Sequence, residues 1–191
     1  MRFDNALLPA ELRIQSFPDL NARIVFAKKF KPYLKTIPDA KRRELYQQAV
    51  SSLDDVQVPG NLMMSWDELK QIRSEGIEIG SHTITHPLLA KIESESTIIY
   101  EIKGSGEMIN QQLGHFPITI SYPIGSYNET VKKIAAESGY KIGLAVNQDF
   151  YDTQKHGIFE IPRTELYNES GLKTKLRISG TIRQINKLMK K

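Results

Sequence analysis

Apolar positions along the chain switch repeatedly between a spacing of three to four residues and a spacing of two, which predicts helices alternating with short strands. Residues 20–30 read as a helix carrying Ile24, Val25, Phe26 and Phe30, fenced by Pro18 and Pro32. Thr36-Ile37-Pro38-Asp39 reads as the next helix start, with Thr36 as N-cap and an acidic residue three positions on. Leu45, Ala49 and Leu53 give that helix an apolar face, which ends near Asp54-Asp55 before a Pro59-Gly60 turn. Ser65-Trp66-Asp67-Glu68 is a capping box, Leu69 and Ile72 share a face, and Gly76 is the stop. Ile77 and Ile79 then alternate with Glu78 and Gly80, the period of a half-buried strand.

The same order recurs twice. Ser94 opens a helix through Ile98, Ile102, Ile109 and Leu113 that Gly114 stops, with Gly104 and Gly106 each costing about 1 kcal/mol in its middle. Residues 117–123 form the next strand. Asn128 caps a helix through Val131, Ile134 and Ala135, ended by Gly139; residues 140–146 make another strand, and Phe159-Glu160-Ile161-Pro162-Arg163 a short last one. A helical tail starts at about Ser170. Helix-then-strand repetition implies an α/β fold with parallel strands and outer helices. We divide the chain into a poorly readable segment 1–35, an α/β domain 36–169 and a basic helix 170–191.

Composition narrows the class without naming a function. At 191 residues the chain has room for one domain with a proper core. The net charge of +4 is spread along the chain and no aromatic-basic motif accompanies it, so nucleic acid is not an expected partner. The absence of cysteine removes disulfides and thiolate ligands. No apolar run reaches membrane-spanning length and no secretory h-region opens the sequence, so the chain as written reads as cytoplasmic. Lys187, Lys190 and Lys191 fit a solvated helix C-terminus, and membrane contact is not expected.

Candidate chemistry starts where the first of these strands ends. His82 and His86 stand four residues apart in Ser81-His82-Thr83-Ile84-Thr85-His86-Pro87, beside three hydroxyls. Two imidazoles plus one carboxylate make a common divalent-metal set, with zinc the usual occupant. Chance spacing is the other reading of the pair alone.

Two ordered motifs decide between these readings. Ser65-Trp66-Asp67-Glu68-Leu69 followed by Gly76-Ile77-Glu78-Ile79-Gly80-Ser81-His82-Thr83-Ile84-Thr85-His86-Pro87 resembles the second motif of the polysaccharide deacetylases, carbohydrate esterase family 4. Ile120-Ser121-Tyr122-Pro123-Ile124-Gly125-Ser126-Tyr127 resembles the third. The resemblance spans about residues 35–163. It implies an incomplete distorted (β/α) barrel and metal-dependent removal of N-acetyl groups from an amino-sugar polymer. It also implies roles: His82 and His86 as metal ligands, the Ile124 backbone N–H for the oxyanion, and Tyr122, Pro123 and Tyr127 shaping the sugar groove. Ile161-Pro162-Arg163 resembles a later strand whose arginine orients a catalytic carboxylate.

The departures bear on activity. The family's first motif, a strand ending in Asp-Asp-Gly that supplies the base and third ligand, has no match before His82. Ser52-Leu53-Asp54-Asp55-Val56 follows a helix and lacks the glycine, so Asp54 and Asp55 read as a solvated helix end before they read as that dyad; Asp4 is a weaker candidate. Ser121 replaces an arginine of the third motif, and the late catalytic histidine is not evident, with His115 and His156 both in loops expected to be exposed. The expectation is therefore a deacetylase domain whose first strand and motif precede Met1, with weak metal affinity, little activity alone, and an open barrel edge prone to self-association. Two alternatives stand beside it: a non-catalytic carbohydrate-binding or assembly remnant, and a different metal hydrolase using the histidines with Glu78 or Asp149.

Overall fold

The computed structural model describes residues 8–13, 18–51, 62–147 and 149–189. By contact, the chain divides into two units, Met1–Met64 with Lys91–Glu93, and Ser65–Ala90 with Ser94–Lys191. The three segments expected from the sequence follow different lines. Helix 39–51 falls with the N-terminal helix, and the C-terminal helices fall with the strands.

In the first unit, α1 (Leu20–Leu34) is capped by Asp19, which accepts from the Ala22 N–H at 2.7 Å. Phe26 and Phe30, four apart and stacked at 5.1 Å, are buried, whereas Ile24 and Val25 are exposed. The helix runs on past Pro32, expected to end it, because a proline in the last turn sacrifices a single hydrogen bond. Lys35 and Thr36 then close the helix with N–H bonds back to the carbonyls of Pro32 and Tyr33. This overturns Thr36 as an N-cap: its hydroxyl donates to Tyr33, and α2 (Asp39–Ser51) begins at Asp39. Asp39 does not reach back to a cap because Arg42 and Arg43 both hold its carboxyl group. Leu8, Leu12, Phe26, Phe30, Ile37 and Leu45 form this unit's core, with Ala49 packed on it. Asp4, Asp54, Asp55 and the expected Pro59-Gly60 turn lie outside the described residues, as do Lys190, Lys191 and the Lys187 side chain.

The second unit repeats helix and strand. The capping box opens α3 (Trp66–Ser74), Ser65 and Glu68 each bonding the other's backbone. The run from Ile77 does not become the expected half-buried strand. It is reduced to a parallel bridge, Ser81 with Ile120, held by Ser81 N–H to Thr119 O at 2.9 Å and Ser121 N–H to Ser81 O at 2.8 Å. Among the described residues nothing pairs with its other edge, and Ile77 stays 54% exposed. A strand with one partner and one uncovered face gains too little to stay extended in register.

Ser94 caps α4 (Glu95–Leu113), which passes through Gly104 and Gly106 unbroken and ends at Gly114 with φ +77°. Packing outweighs the two glycines because Ile98, Ile102, Ile109 and Leu113 are all buried. β1 (Thr119–Ser121) follows, then a 3₁₀ turn Pro123–Gly125, then α5 (Glu129–Glu137) capped by Asn128. β2 (Ile142–Leu144) pairs parallel with β1, Ile120 opposite Gly143, and Leu144 bridges Ile161 in the same sense. Among the described residues, four parallel segments thus lie in chain order, at Ser81, β1, β2 and Ile161, with α4 and α5 as crossovers. Each is shorter than the apolar run that predicted it. The tail is two helices, α6 (Gly171–Ile178) and α7 (Thr181–Leu188), broken at Gly180. Among the described residues no helix is long and apolar enough to cross a membrane.

The Asn128 cap offers a direct test of this local logic. Its side chain accepts from the Val131 N–H at 3.0 Å, and α5 buries Val131, Ile134 and Ala135 against the unit. Asn128→Ala is expected to cost about 1 kcal/mol in urea unfolding with an unchanged m-value.

Candidate functional site

The carboxyl ends of the parallel segments meet at one cleft. It has a volume of about 530 Å³ and is lined by His82, Ser121, Tyr122, Ile124, Val146, Arg163 and Glu165. Four of the residues singled out in the sequence therefore share one wall system, contributed by three different segment ends. This follows from the parallel order, since every crossover returns the chain to the same end of the sheet.

The histidines sit on the loop after Ser81. Their rings lie 4.8 Å apart, edge to face. His82 Nδ1 is 2.6 Å from the Ser121 carbonyl oxygen. A carbonyl only accepts, so Nδ1 carries the proton and the Nε2 lone pair is left for a ligand. The loop needs unusual backbone to do this: Thr83 and His86 have φ of +69° and +56°. Such conformations in non-glycine residues cost energy and persist where surrounding contacts over-determine them. The Thr83 hydroxyl accepts from the His86 N–H at 3.1 Å, one such contact.

His82 is exposed as a residue, yet partial desolvation of its ring is the largest effect on its pKa and lowers it below the usual 6.5. The hydrogen bond to Ser121 acts in the opposite sense, and the nearby His86 and Arg163 add to the lowering. His82 is accordingly neutral at pH 7, the form that ligates metal. The unfolded chain binds this proton more readily than the fold does, so stability falls as pH drops through 6.5 toward the lowered value. Thermal unfolding temperatures between pH 7 and pH 5 are expected to fall less steeply in His82→Gln than in wild type.

The opposite wall comes from the turn after β1. Ile124 also has a left-handed backbone, φ +56°, and the hydrogen bonds closing this turn are donated by Gly125 to Tyr122 and by Ser126 to Pro123. Neither consumes the Ile124 N–H. Tyr122 is fully buried; its hydroxyl donates to the Phe159 carbonyl at 2.9 Å, and burial pushes the phenol well above its usual range. Its ring stacks on Tyr127 at 5.0 Å, and the Tyr127 hydroxyl accepts from Asn147. Pro123 is buried below the turn. Arg163 donates from Nε to the Ala145 carbonyl at 3.0 Å, which holds the side chain at the cleft.

Other candidates lie elsewhere. Asp149 pairs with Arg183 and lines a second cavity with Tyr151 and His156, so it does not join His82. Glu78 is exposed and does not line the cleft. His115 and His156, expected to be exposed, are half-buried, and neither lines the cleft. His156 Nδ1 accepts from the Asp152 N–H at 3.2 Å. Among the described residues no group of three His, Cys, Asp or Glu side chains is placed to hold a metal. Those residues thus place no third His, Cys, Asp or Glu ligand with the pair.

Three residues escaped the sequence reading. Glu165 brings a carboxylate to the cleft, gripped by the Tyr167 hydroxyl at 2.6 Å. Glu101 and Ser105 are buried on α4 behind the histidine loop. Their signal was two polar residues on the apolar stripe of α4, at helical spacing with Ile98, Ile102 and Ile109.

Comparison with known proteins identifies the family and the fold. The chain is 30% identical over 112 residues to a peptidoglycan-N-acetylglucosamine deacetylase, PgdA, of Listeria monocytogenes, covering 59% of this chain and 20% of that protein. It is 34% identical over 82 residues to a chitin deacetylase of Arthroderma benhamiae, covering 42% of this chain and 22% of that one. The chain spans less than a third of the length of these relatives. Among solved structures, the Streptococcus pyogenes deacetylase PplD in complex with acetate superposes with a TM-score of 0.56 at 27% identity, over 62% of this chain and 52% of that one. A polysaccharide deacetylase from Bacillus cereus superposes with a TM-score of 0.54 at 19% identity, over 72% and 48%. The parallel arc with outer helices is thus part of the distorted (β/α) barrel of these enzymes. The family profile for polysaccharide deacetylase matches residues 39–143, more than half of the chain, and the chain belongs to the polysaccharide deacetylase family.

Proposed function

We propose that the cleft is the remaining part of a metal-dependent N-deacetylase site for an amino-sugar polymer, with His82 and His86 as two ligands of a divalent ion, most simply zinc. The observation that carries this is the adjacent histidine pair with the His82 tautomer set by the Ser121 carbonyl. When bound, the ion supplies the Lewis acidity that amide hydrolysis needs at neutral pH. The residues of the chain do the rest of the positioning. The Ile124 N–H faces the acetyl oxygen as negative charge builds on it. Tyr122, locked by Phe159 and Tyr127, makes a rigid wall for the sugar, and Pro123 and Tyr127 hold its shape. Arg163, held at the cleft by the Ala145 carbonyl, is placed to orient a carboxylate serving as base.

That carboxylate is the weak point. With no third His, Cys, Asp or Glu grouped with the pair among the described residues, and the cleft carboxylate of Glu165 held by Tyr167, the chain alone is expected to bind zinc weakly and to turn over little substrate. The proposed substrate class is supported by the relatives named for deacetylation of peptidoglycan N-acetylglucosamine and of chitin, and by acetate, the acid such hydrolysis releases, held by PplD. Acetate release from a soluble chitin oligomer with added zinc tests this; robust turnover by the chain alone overturns the impairment. That no third ligand joins the pair among the described residues supports a second reading, a carbohydrate-binding or assembly remnant that kept the groove. Calorimetric binding of the oligomer without hydrolysis, in a chain that takes up no zinc, selects it.

A further inference from the structure

Glu101 occupies a place where a leucine would pack without penalty. It lies on the buried face of α4 between Ile98 and Ile102 and is 1% exposed. A carboxyl group there is costly unless its oxygens are satisfied. Both are, and both by the histidine loop. Oε2 accepts from the Ile84 N–H at 3.0 Å and from the Thr85 N–H at 2.8 Å, while Oε1 accepts from the Thr85 hydroxyl at 2.5 Å.

These two residues are the centre of the segment between His82 and His86, and they are flanked by the left-handed Thr83 and His86. The loop is tied at its start by the Ser81 bridge to Ile120 and by Ser81 Oγ on Ser105 Oγ at 2.6 Å, one helical turn along from Glu101. At its far end Pro87, Leu88 and Leu89 are buried. Its middle hangs on the carboxyl group. Without that anchor the Ile84 and Thr85 N–H groups turn to solvent, and residues 83–86 are released to relax from their left-handed backbone.

We infer that Glu101 is a positioning residue for the histidine pair: it holds the strained turn that keeps the two imidazole rings 4.8 Å apart, and so pre-organises the ligand site. The inference rests on the metal-ligand reading of His82 and His86.

Zinc titration of the full chain against a chromogenic chelator at pH 7 tests it with two variants. Glu101→Met fills the same space and removes every acceptor. Glu101→Gln keeps one acceptor and can keep all three hydrogen bonds, since its amide oxygen receives both N–H groups and its amide nitrogen donates to a reoriented Thr85 hydroxyl. Zinc affinity is expected to fall about 10- to 100-fold in Glu101→Met and to stay within about threefold of wild type in Glu101→Gln. Wild-type affinity in Glu101→Met overturns the inference, as does an equal loss in both variants. If Glu101→Met does not fold, Thr85→Val replaces it, removing only the hydroxyl bond; an unchanged affinity there counts against the anchor and a weakened one supports it. If the wild-type chain takes up no zinc, the metal reading itself fails. Amide exchange then decides the anchor: Ile84 and Thr85 are expected to exchange at least about tenfold faster in Glu101→Met than in wild type or Glu101→Gln, and equal rates overturn it.

Discussion

His82→Ala is expected to weaken zinc binding by at least about 100-fold, more than loss of an outer partner costs. The substitution removes one imidazole of the pair, and with no third ligand grouped with it among the described residues the remaining one holds the ion no better than a surface histidine does. His86→Ala is expected to match it, and the double variant to add little, because a pair that acts as a unit is non-additive. Equilibrium competition with a chelator reads all three. His115→Ala and His156→Ala are the controls: neither lines the cleft, and each is expected to leave the affinity unchanged. An equal loss in His156→Ala would move the metal to the cavity around Asp149, Tyr151 and Arg183.

The largest effect on stability is expected at Gly143. This residue lies at the centre of β2, opposite Ile120, and a side-chain carbon there would stand 2.3 Å from the Tyr122 hydroxyl and 2.6 Å from the Phe159 carbonyl oxygen. Both neighbours are fixed, one by burial and the other as backbone. Gly143 also donates to the Ile158 carbonyl and accepts from the Ile161 N–H, which carries the strand arc across to Arg163. Gly143→Ala must therefore break the Tyr122–Phe159 hydrogen bond or push the last segment away. A cost of about 3 kcal/mol is expected in denaturant unfolding, the sum of an overpacked core and a lost buried hydrogen bond. Tyr122→Phe separates the two parts. It removes the hydrogen bond without adding volume and is expected to cost about 1 kcal/mol. If Gly143→Ala proves no worse than Tyr122→Phe, the close approach is not what the glycine serves.

Helices and family were legible in the sequence because their determinants are local. Ser65 and Glu68 three apart, Ser94 and Asn128 ahead of apolar stripes, and glycines beyond the last turns are short-range chemistry, and each acts in the fold as read. The histidine spacing and the Tyr122-Pro123-Ile124-Gly125 turn were equally local, enough to indicate the family, and of their residues His82, Tyr122 and Ile124 line one cleft. Thr36 misled for the opposite reason. Its hydroxyl had a nearer acceptor on the preceding helix, Tyr33, and Asp39 had two arginines of its own.

Only the tertiary structure decided how far each strand extends, since ladder length depends on partners remote in sequence and on what covers each face. The run at Ile77 has the period of a strand and too few neighbours to become one. Tertiary structure alone also revealed what holds the candidate site: Ser121, met in the sequence as a departure from a motif, contributes through its carbonyl, and a carbonyl is the same in every residue type. Glu101 was unremarked because a lone acid on an apolar stripe has no local partner to announce it; its partners lie 16 and 17 residues back, at Thr85 and Ile84. The sequence by itself thus determined the repeating units and their chemistry, through contacts within a turn or two of chain. Folding determined which of those groups face one another, because that depends on contacts the chain makes only once closed.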